Sequence, residues 1–290
     1  MSKTVLVTGA NTGIGLSTVL ELAGAGWDVV ASVRTPEKAA LVAERAAERE
    51  VTLRTVLLDV NDESSCEQAV REVEAGAAEG LFALVNNAGY AQSGAVEDVT
   101  DDLVRAQLET NVVAPMRLAR LVLPGMRERG RGRIVNVSSI AGRMSNPLMG
   151  WYCASKHALE AVTDALRMEV EQDGVRVVLV EPGAFGTDIW TSAQQDGFPP
   201  PTSARYAAAY ARAASLGARS ESLPDPVWVA RTIRLALSNP LPMTRYAVGV
   251  DAVGGILAET VLPSLVTDYV KSIASGLSRS PLKIPFLPRG

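Results

Sequence analysis

The feature that most constrains the fold is an alternation. Between residues 4 and 180, six short apolar, β-branched runs are separated by stretches of helical periodicity. The runs cover residues 4–8, 28–33, 51–58, 81–85, 133–137 and 175–180. Most are almost continuously apolar, as strands are when both faces of their sheet are covered. Between them the pattern predicts helices over 36–48, 61–75, 101–126 (bent at Pro115) and from Tyr152 to 172. Short connections between alternating β and α segments imply a parallel sheet wound in both directions, with helices on both faces: an α/β fold. A further helix at 227–237 and a strand at 246–250 bring the expected sheet to about seven strands, in a single domain over 1–290 without internal repeats.

Ligands of such sheets lie beyond the carboxyl ends of the strands. The first run ends in Gly9-Ala10-Asn11-Thr12-Gly13-Ile14-Gly15 and leads directly into a helical pattern. Glycines allow positive φ and let backbone N–H groups approach a pyrophosphate, whose charge the following helix N-terminus favours. The second run ends at Val33-Arg34 with no acid to bind a ribose 2′-hydroxyl. An arginine there accommodates a 2′-phosphate, which favours NADP(H) over NAD(H), the alternative being a plain surface charge. The third run ends at Asp59-Val60, within reach of an adenine, and the fourth at Asn86-Asn87-Ala88-Gly89, small and amide residues suited to a wall against a flat cofactor. Ser139 and Pro182-Gly183 stand at two further strand ends.

Downstream of Ser139, Tyr152 and Lys156 lie four positions apart at the start of a helical pattern and share one face. A phenol titrates near pH 10 and is a poor acid at neutral pH. A cation about 4 Å away at an effective dielectric of about 20 contributes roughly 4 kcal/mol, or about three pKa units. The Ser139 hydroxyl is placed to orient a carbonyl oxygen beside Tyr152. Asn111, in the middle of a long helix, has low helix propensity and on its own reads as a buried hydrogen-bonding residue.

Other features narrow the function classes. The net charge of −4 argues against a nucleic-acid partner, and the one basic cluster (Arg127, Arg129, Arg131, Arg133) reads as a solvated helix-to-strand connection. Cys66 and Cys153 give neither a disulfide framework nor metal spacing, and one histidine, His157, leaves no set for a zinc site, so no metal is expected. No apolar run reaches 18 residues and strand 4–8 follows the N-terminus at once, so a cytoplasmic protein is expected. Regularity lapses over 185–226, which contains Phe185, Trp190, Phe198, Tyr206 and Tyr210 and lies beyond a strand's carboxyl end, as a lid would. An apolar helical segment follows at 256–277, within a C-terminal extension of about 254–290; it either packs on its own domain, covers the cleft, forms a subunit contact or touches a membrane surface.

Taken together, Thr8-Gly9-x-x-x-Gly13-Ile14-Gly15, Asp59, Asn86-Asn87-Ala88-Gly89, Asn111, Ser139, Tyr152-x-x-x-Lys156 and Pro182-Gly183 resemble the single-domain branch of the short-chain dehydrogenase/reductase family, over about two thirds of the chain. The resemblance implies a Rossmann-type fold and hydride transfer between a nicotinamide cofactor and a carbonyl or alcohol. Tyr152 is then the acid/base, and Lys156 lowers its pKa and holds the nicotinamide ribose. Ser139, thirteen positions before Tyr152, holds the substrate oxygen in preference to Ser138. Asn111 holds a water linking Lys156 to solvent, and Thr187 contacts the carboxamide. The Ser32-Val33-Arg34 strand end and the long C-terminus are similar to hydroxysteroid and retinol dehydrogenase-like members. They point to a lipophilic substrate (steroid-, retinoid- or polyketide-like) among Met144, Met149, Phe185 and Trp190. A homodimer or homotetramer is the implied assembly. A non-catalytic dinucleotide sensor and an epimerase or dehydratase on the same scaffold are the competing readings.

Overall fold

The structure, a computed structural model, describes residues 3–187, 203–217 and 222–277. Strand β1 (Thr4–Val7) leads into helix α1 (Gly13–Gly24), followed by β2 (Asp28–Val33), α2 (Pro36–Glu48), β3 (Arg54–Leu57), α3 (Glu63–Gly76) and β4 (Leu81–Asn86). The second half contains α4 (Asp101–Leu108), a π-helical turn (Glu109–Val113), α5 (Ala114–Glu128), β5 (Gly132–Val137), α6 (Gly150–Glu169) and β6 (Val175–Pro182). Then come α7 (Ala207–Gly217), α8 (Val227–Ser238), β7 (Arg245–Val248), α9 (Val250–Val261) and α10 (Ser264–Ala274). The seven strands form one sheet in the order β3-β2-β1-β4-β5-β6-β7, and every neighbouring pair is parallel. The winding direction reverses between β1 and β4, and that switch point opens a crevice at the strands' carboxyl ends.

Period-2 alternation divides the strand side chains between two cores. Val5 and Val7 of β1 and Ala83 and Val85 of β4 face a layer containing Val19 and Leu22 of α1 and Ile233 and Leu237 of α8. Leu6 and Leu84 face the other layer, with Val70 and Val73 of α3 and Leu118 and Val122 of α5. Each of these residues is no more than 6% exposed.

Three local expectations need correction. The helix foreseen over 101–126 is two helices joined by the π turn, where the Ala114 N–H donates to Glu109 five residues back. The cause is local, since Pro115 has no N–H to give the Asn111 carbonyl and the ladder widens by one residue. Strand β3 is shorter than residues 51–58, and β7 is shifted to Arg245–Val248. In the basic cluster, Arg127, Arg129 and Arg131 make ion pairs with Asp173, Glu74 and Glu79, but Arg133 is buried. It lies in β5 and donates to the carbonyls of Asn239 and Pro240 at 2.5 and 3.1 Å.

Candidate active site

One cleft of about 810 Å³ follows the switch point, lined at one end by the glycine turn and Arg34 and at the other by Ser139, Tyr152 and Lys156. The turn is held by one hydroxyl and one side-chain amide. Thr8 Oγ1 accepts from the backbone N–H groups of Asn87 and Ala88, both at 2.9 Å, and Asn87 Nδ2 donates back to the carbonyls of Thr8 and Gly9 at 2.9 and 3.1 Å. Gly9 has φ +64°, and a Cβ there would lie 2.9 Å from Ala88 Cα. At Gly15 a Cβ would run into the Gly9 carbonyl oxygen and lie 2.6 Å from Asn87 Nδ2. The backbone of the turn is thus packed against Asn87 and Ala88 with no side chain between. The Thr12 carbonyl accepts from Leu16 N–H at 3.1 Å, while its side chain makes no capping bond to α1. The first N–H groups of α1 therefore face the cleft without intrahelical partners.

Arg34 is exposed at the end of β2, and Lys38, two residues into α2, joins it on the same wall. Neither makes an ion pair with any described residue. Asp59, Val60 and Asn61 continue the wall; Asp59 Oδ1 accepts from Asn61 N–H, and Asn61 Oδ1 accepts from Thr110 Oγ1 at 3.1 Å.

At the opposite end Tyr152 and Lys156 are buried, with Ser139 half-buried beside them. Tyr152 and Lys156 project from the first turns of α6, each 6% exposed. Ser139 begins the short 3₁₀ turn after β5; its Oγ accepts from Ala141 N–H at 3.1 Å and is in hydrogen-bonding contact with Tyr152. Burial pushes the Tyr152 phenol up to about 12, with the Ser139 bond pulling the other way. The expected lowering by Lys156 is not seen here, because the lysine is itself desolvated and engaged elsewhere. Lys156 Nζ donates to the Val137 carbonyl at 2.9 Å and stands 5.9 Å from the centre of the Tyr152 ring. Burial draws Lys156 down to about 8, with the charge of Glu160 opposing the fall.

Asn111 occupies the π turn. Its Nδ2 donates to the Tyr90 carbonyl and to Ser155 Oγ, each at 3.0 Å, and its Oδ1 accepts from Tyr90 N–H at 3.2 Å. It therefore fastens the loop after β4 to the helix carrying Tyr152 and Lys156. Its side chain sits behind the cleft wall.

The glycine turn, Asp59, Val60, Asn87, Ala88, Gly89, Pro182, Gly183, Phe185 and Thr187 all line the cleft. Met144 and Met149 do not line it. Met144 lies against Gly255 of α9, and Met149 packs with Ala91, Tyr152 and Cys153 while its sulfur receives the Ser93 hydroxyl. Trp190 lies outside the described residues. The sequence reading missed Lys38, Tyr90 and Gln92, which also line the cleft. Lys38 carried a signal, being the cation four residues beyond Arg34. Tyr90 and Gln92 carried none, since the loop holding them has no periodicity.

The sequence profile of the short chain dehydrogenase family matches residues 3–197, and the chain belongs to that family. Human retinol dehydrogenase 5 is 36% identical over 280 residues, covering 92% of this chain and 86% of that protein. A short-chain dehydrogenase from Streptomyces avermitilis superposes with a TM-score of 0.76 at 32% identity, over 96% of this chain and all of that one. An actinorhodin polyketide ketoreductase variant solved with NADPH gives a TM-score of 0.73 at 28% identity, over 87% and 97% of the two chains. The protein is an NAD(P)-dependent oxidoreductase of the class that acts on alcohol and carbonyl groups. Among the described residues no helix is long and apolar enough to cross a membrane, and no cluster is fit to hold a metal ion.

Proposed function

We propose that the protein reduces a lipophilic ketone or aldehyde, or oxidises the corresponding alcohol, with NADP(H) as its dinucleotide. The observation that carries the reading is the polarity of the cleft: two cations without an ion pair among the described residues at one end, and a half-buried serine beside a buried tyrosine and lysine at the other. The dinucleotide fits the chain's own residues. Gly9, Gly13 and Gly15 leave the turn's backbone, packed against Ala88, Asn87 and Thr187, bare of side chains at a helix N-terminus whose N–H groups favour phosphate. Arg34 and Lys38 suit a 2′-phosphate, and no acid follows Val33 to favour a free ribose hydroxyl. When bound, the nicotinamide supplies the hydride.

The chain's residues handle orientation and the proton. Ser139 holds the substrate oxygen, and Tyr152 keeps its proton at neutral pH, ready to give it to that oxygen as the carbonyl is reduced. Lys156 holds positive charge beside the phenol, and Asn111 fixes α6 against the loop after β4. Phe185, 3% exposed on the cleft wall, supports an apolar substrate, as do the retinol and polyketide named for the relatives. In this reading the chain is one domain in which residues 185–226 serve as substrate lid, the extension from about 254 supports it, and copies pair into a homodimer or homotetramer.

Oxidation of NADPH and NADH is to be followed against a panel from small keto acids to steroid and decalone ketones, with Tyr152→Phe alongside. Turnover of bulky apolar ketones with NADPH, lost in the variant, is expected. A preference for NADH sinks the role given to Arg34. Tight NADPH binding with no turnover across the panel favours the sensor reading.

A further inference from the structure

Behind the reaction end lies a cluster of charge that the chemistry above does not use. Glu160 is four residues beyond Lys156 on α6, on the same buried face, and is 5% exposed. Arg245 of β7 places Nε 3.1 Å from Glu160 Oε2 and 3.2 Å from Oε1 of Glu181, which is 1% exposed on β6. Arg143, after the 3₁₀ turn, pairs with Glu181 at 3.2 Å. Asp164, one turn further along α6, closes on Arg245 and pairs with Arg167 at 2.7 Å. Toward the cleft, Ser138 Oγ and Glu160 Oε1 face one another across Gly142. A Cβ on that glycine would lie 2.8 Å from the hydroxyl and 3.2 Å from the carboxylate oxygen. Ser138 itself lines the cleft.

Stability is a poor explanation for this arrangement. Buried ion pairs often contribute no more than apolar residues of the same volume. Two almost fully buried carboxylates sharing one guanidinium edge are a costly way to fill space, and burial pushes the Glu160 carboxyl upward. The placement has an electrostatic consequence instead. Lys156 makes no ion pair within 4 Å among the described residues, and its one hydrogen-bond acceptor is a neutral carbonyl. Glu160 is the carboxylate whose charge favours its ammonium form. From β5 Lys156 meets the Val137 carbonyl, and on its own helix the Tyr152 ring.

We propose that Glu160 is a positioning residue for the reaction: fixed by Arg245 and faced by Ser138, its carboxylate keeps Lys156 an ammonium in a desolvated site and so keeps the reaction end competent through neutral pH. The proposal rests on the reductase reading of Tyr152 and Lys156, and its test separates the two. Competitive acetylation of Lys156 by acetic anhydride, read by mass spectrometry across pH, gives the lysine's midpoint in the protein without any substrate. Glu160→Gln is expected to lower that midpoint by about one pH unit. Asp164→Asn, which touches the same arginine but lies a turn farther from Lys156, is expected to leave it in place. Ser138→Ala keeps every ion pair and is expected to lower it by a smaller amount, which carries the test should Glu160→Gln fail to fold. In turnover, the pH at which ketone reduction falls by half moves down with the midpoint in Glu160→Gln, and Glu160→Asp restores part of the shift. An unmoved midpoint in Glu160→Gln, or an equal fall in Asp164→Asn, overturns the proposal even if turnover is intact. A lowered midpoint in a protein that reduces no carbonyl compound supports this role of Glu160 and removes the reductase reading.

Discussion

The two ends of the cleft use charge in opposite ways. At the end formed by β2 and α2, Arg34 is exposed and Lys38 stands beside it on the cleft wall, open to water. At the end formed by β5 and α6, Tyr152 and Lys156 are stripped of water, and burial moves each from its ordinary value, the phenol up to about 12 and the ammonium down to about 8. The contrast separates recognition from chemistry. Exposed cations select a ligand and are screened by salt, whereas buried groups, whose protonation depends on burial and neighbours, hold and move protons.

The comparison is broken most severely at the buried end. Tyr152→Phe removes the proposed proton donor and is expected to lower reductive kcat about 10³-fold while leaving NADPH affinity within a few-fold, read by steady-state kinetics and fluorescence titration. Next in size is Gly15→Ala, whose Cβ meets the Gly9 carbonyl oxygen. Overpacking of about 1–3 kcal/mol is expected, weakening NADPH roughly 10- to 100-fold and lowering the thermal midpoint. Retained affinity would show that the turn widens freely. The pH profile sharpens the same end. With Lys156 protonated below about 8, ketone reduction is expected to hold steady toward acid pH and to decline as pH rises through that value. A decline that begins only near the ordinary lysine range would mean the ammonium is better solvated than its burial implies.

The exposed end gives smaller effects. Arg34→Ala is expected to raise KM for NADPH about tenfold and leave KM for NADH unchanged, and added salt should shrink the gap between wild type and variant. Equal effects on both dinucleotides would mean that Arg34 does not meet the 2′-phosphate. Lys38→Ala should act in the same direction by about threefold, since an ammonium meets phosphate as a point charge without the bidentate geometry of arginine.

Much of this was legible in the chain because it is written in short-range patterns. Apolar runs and helical spacing located the sheet's strands, with end errors of a few residues at β3 and β7. The rule that ligands gather at carboxyl ends then brought Gly9–Gly15, Arg34, Asp59, Ser139 and Pro182-Gly183 to one cleft. What stayed hidden depends on contacts between distant residues. Met149 looked like a pocket residue because it is apolar and near Tyr152; packing turned it toward Ala91 and the Ser93 hydroxyl. Arg133 looked like surface because its arginine cluster sits among glycines between two apolar segments, yet its partners are carbonyls more than a hundred residues away.

By itself, then, the sequence determined the strand and helix order, the glycine turn, and the spacing that sets Tyr152 and Lys156 on one face of one helix. These follow from backbone geometry over a few residues at a time. Only the tertiary structure decided how those side chains titrate. It buried the phenol, aimed Lys156 at the Val137 carbonyl, and set Glu160 against an arginine 85 positions away. Desolvation and charge act through space, and the distances on which they depend exist only once the sheet has assembled.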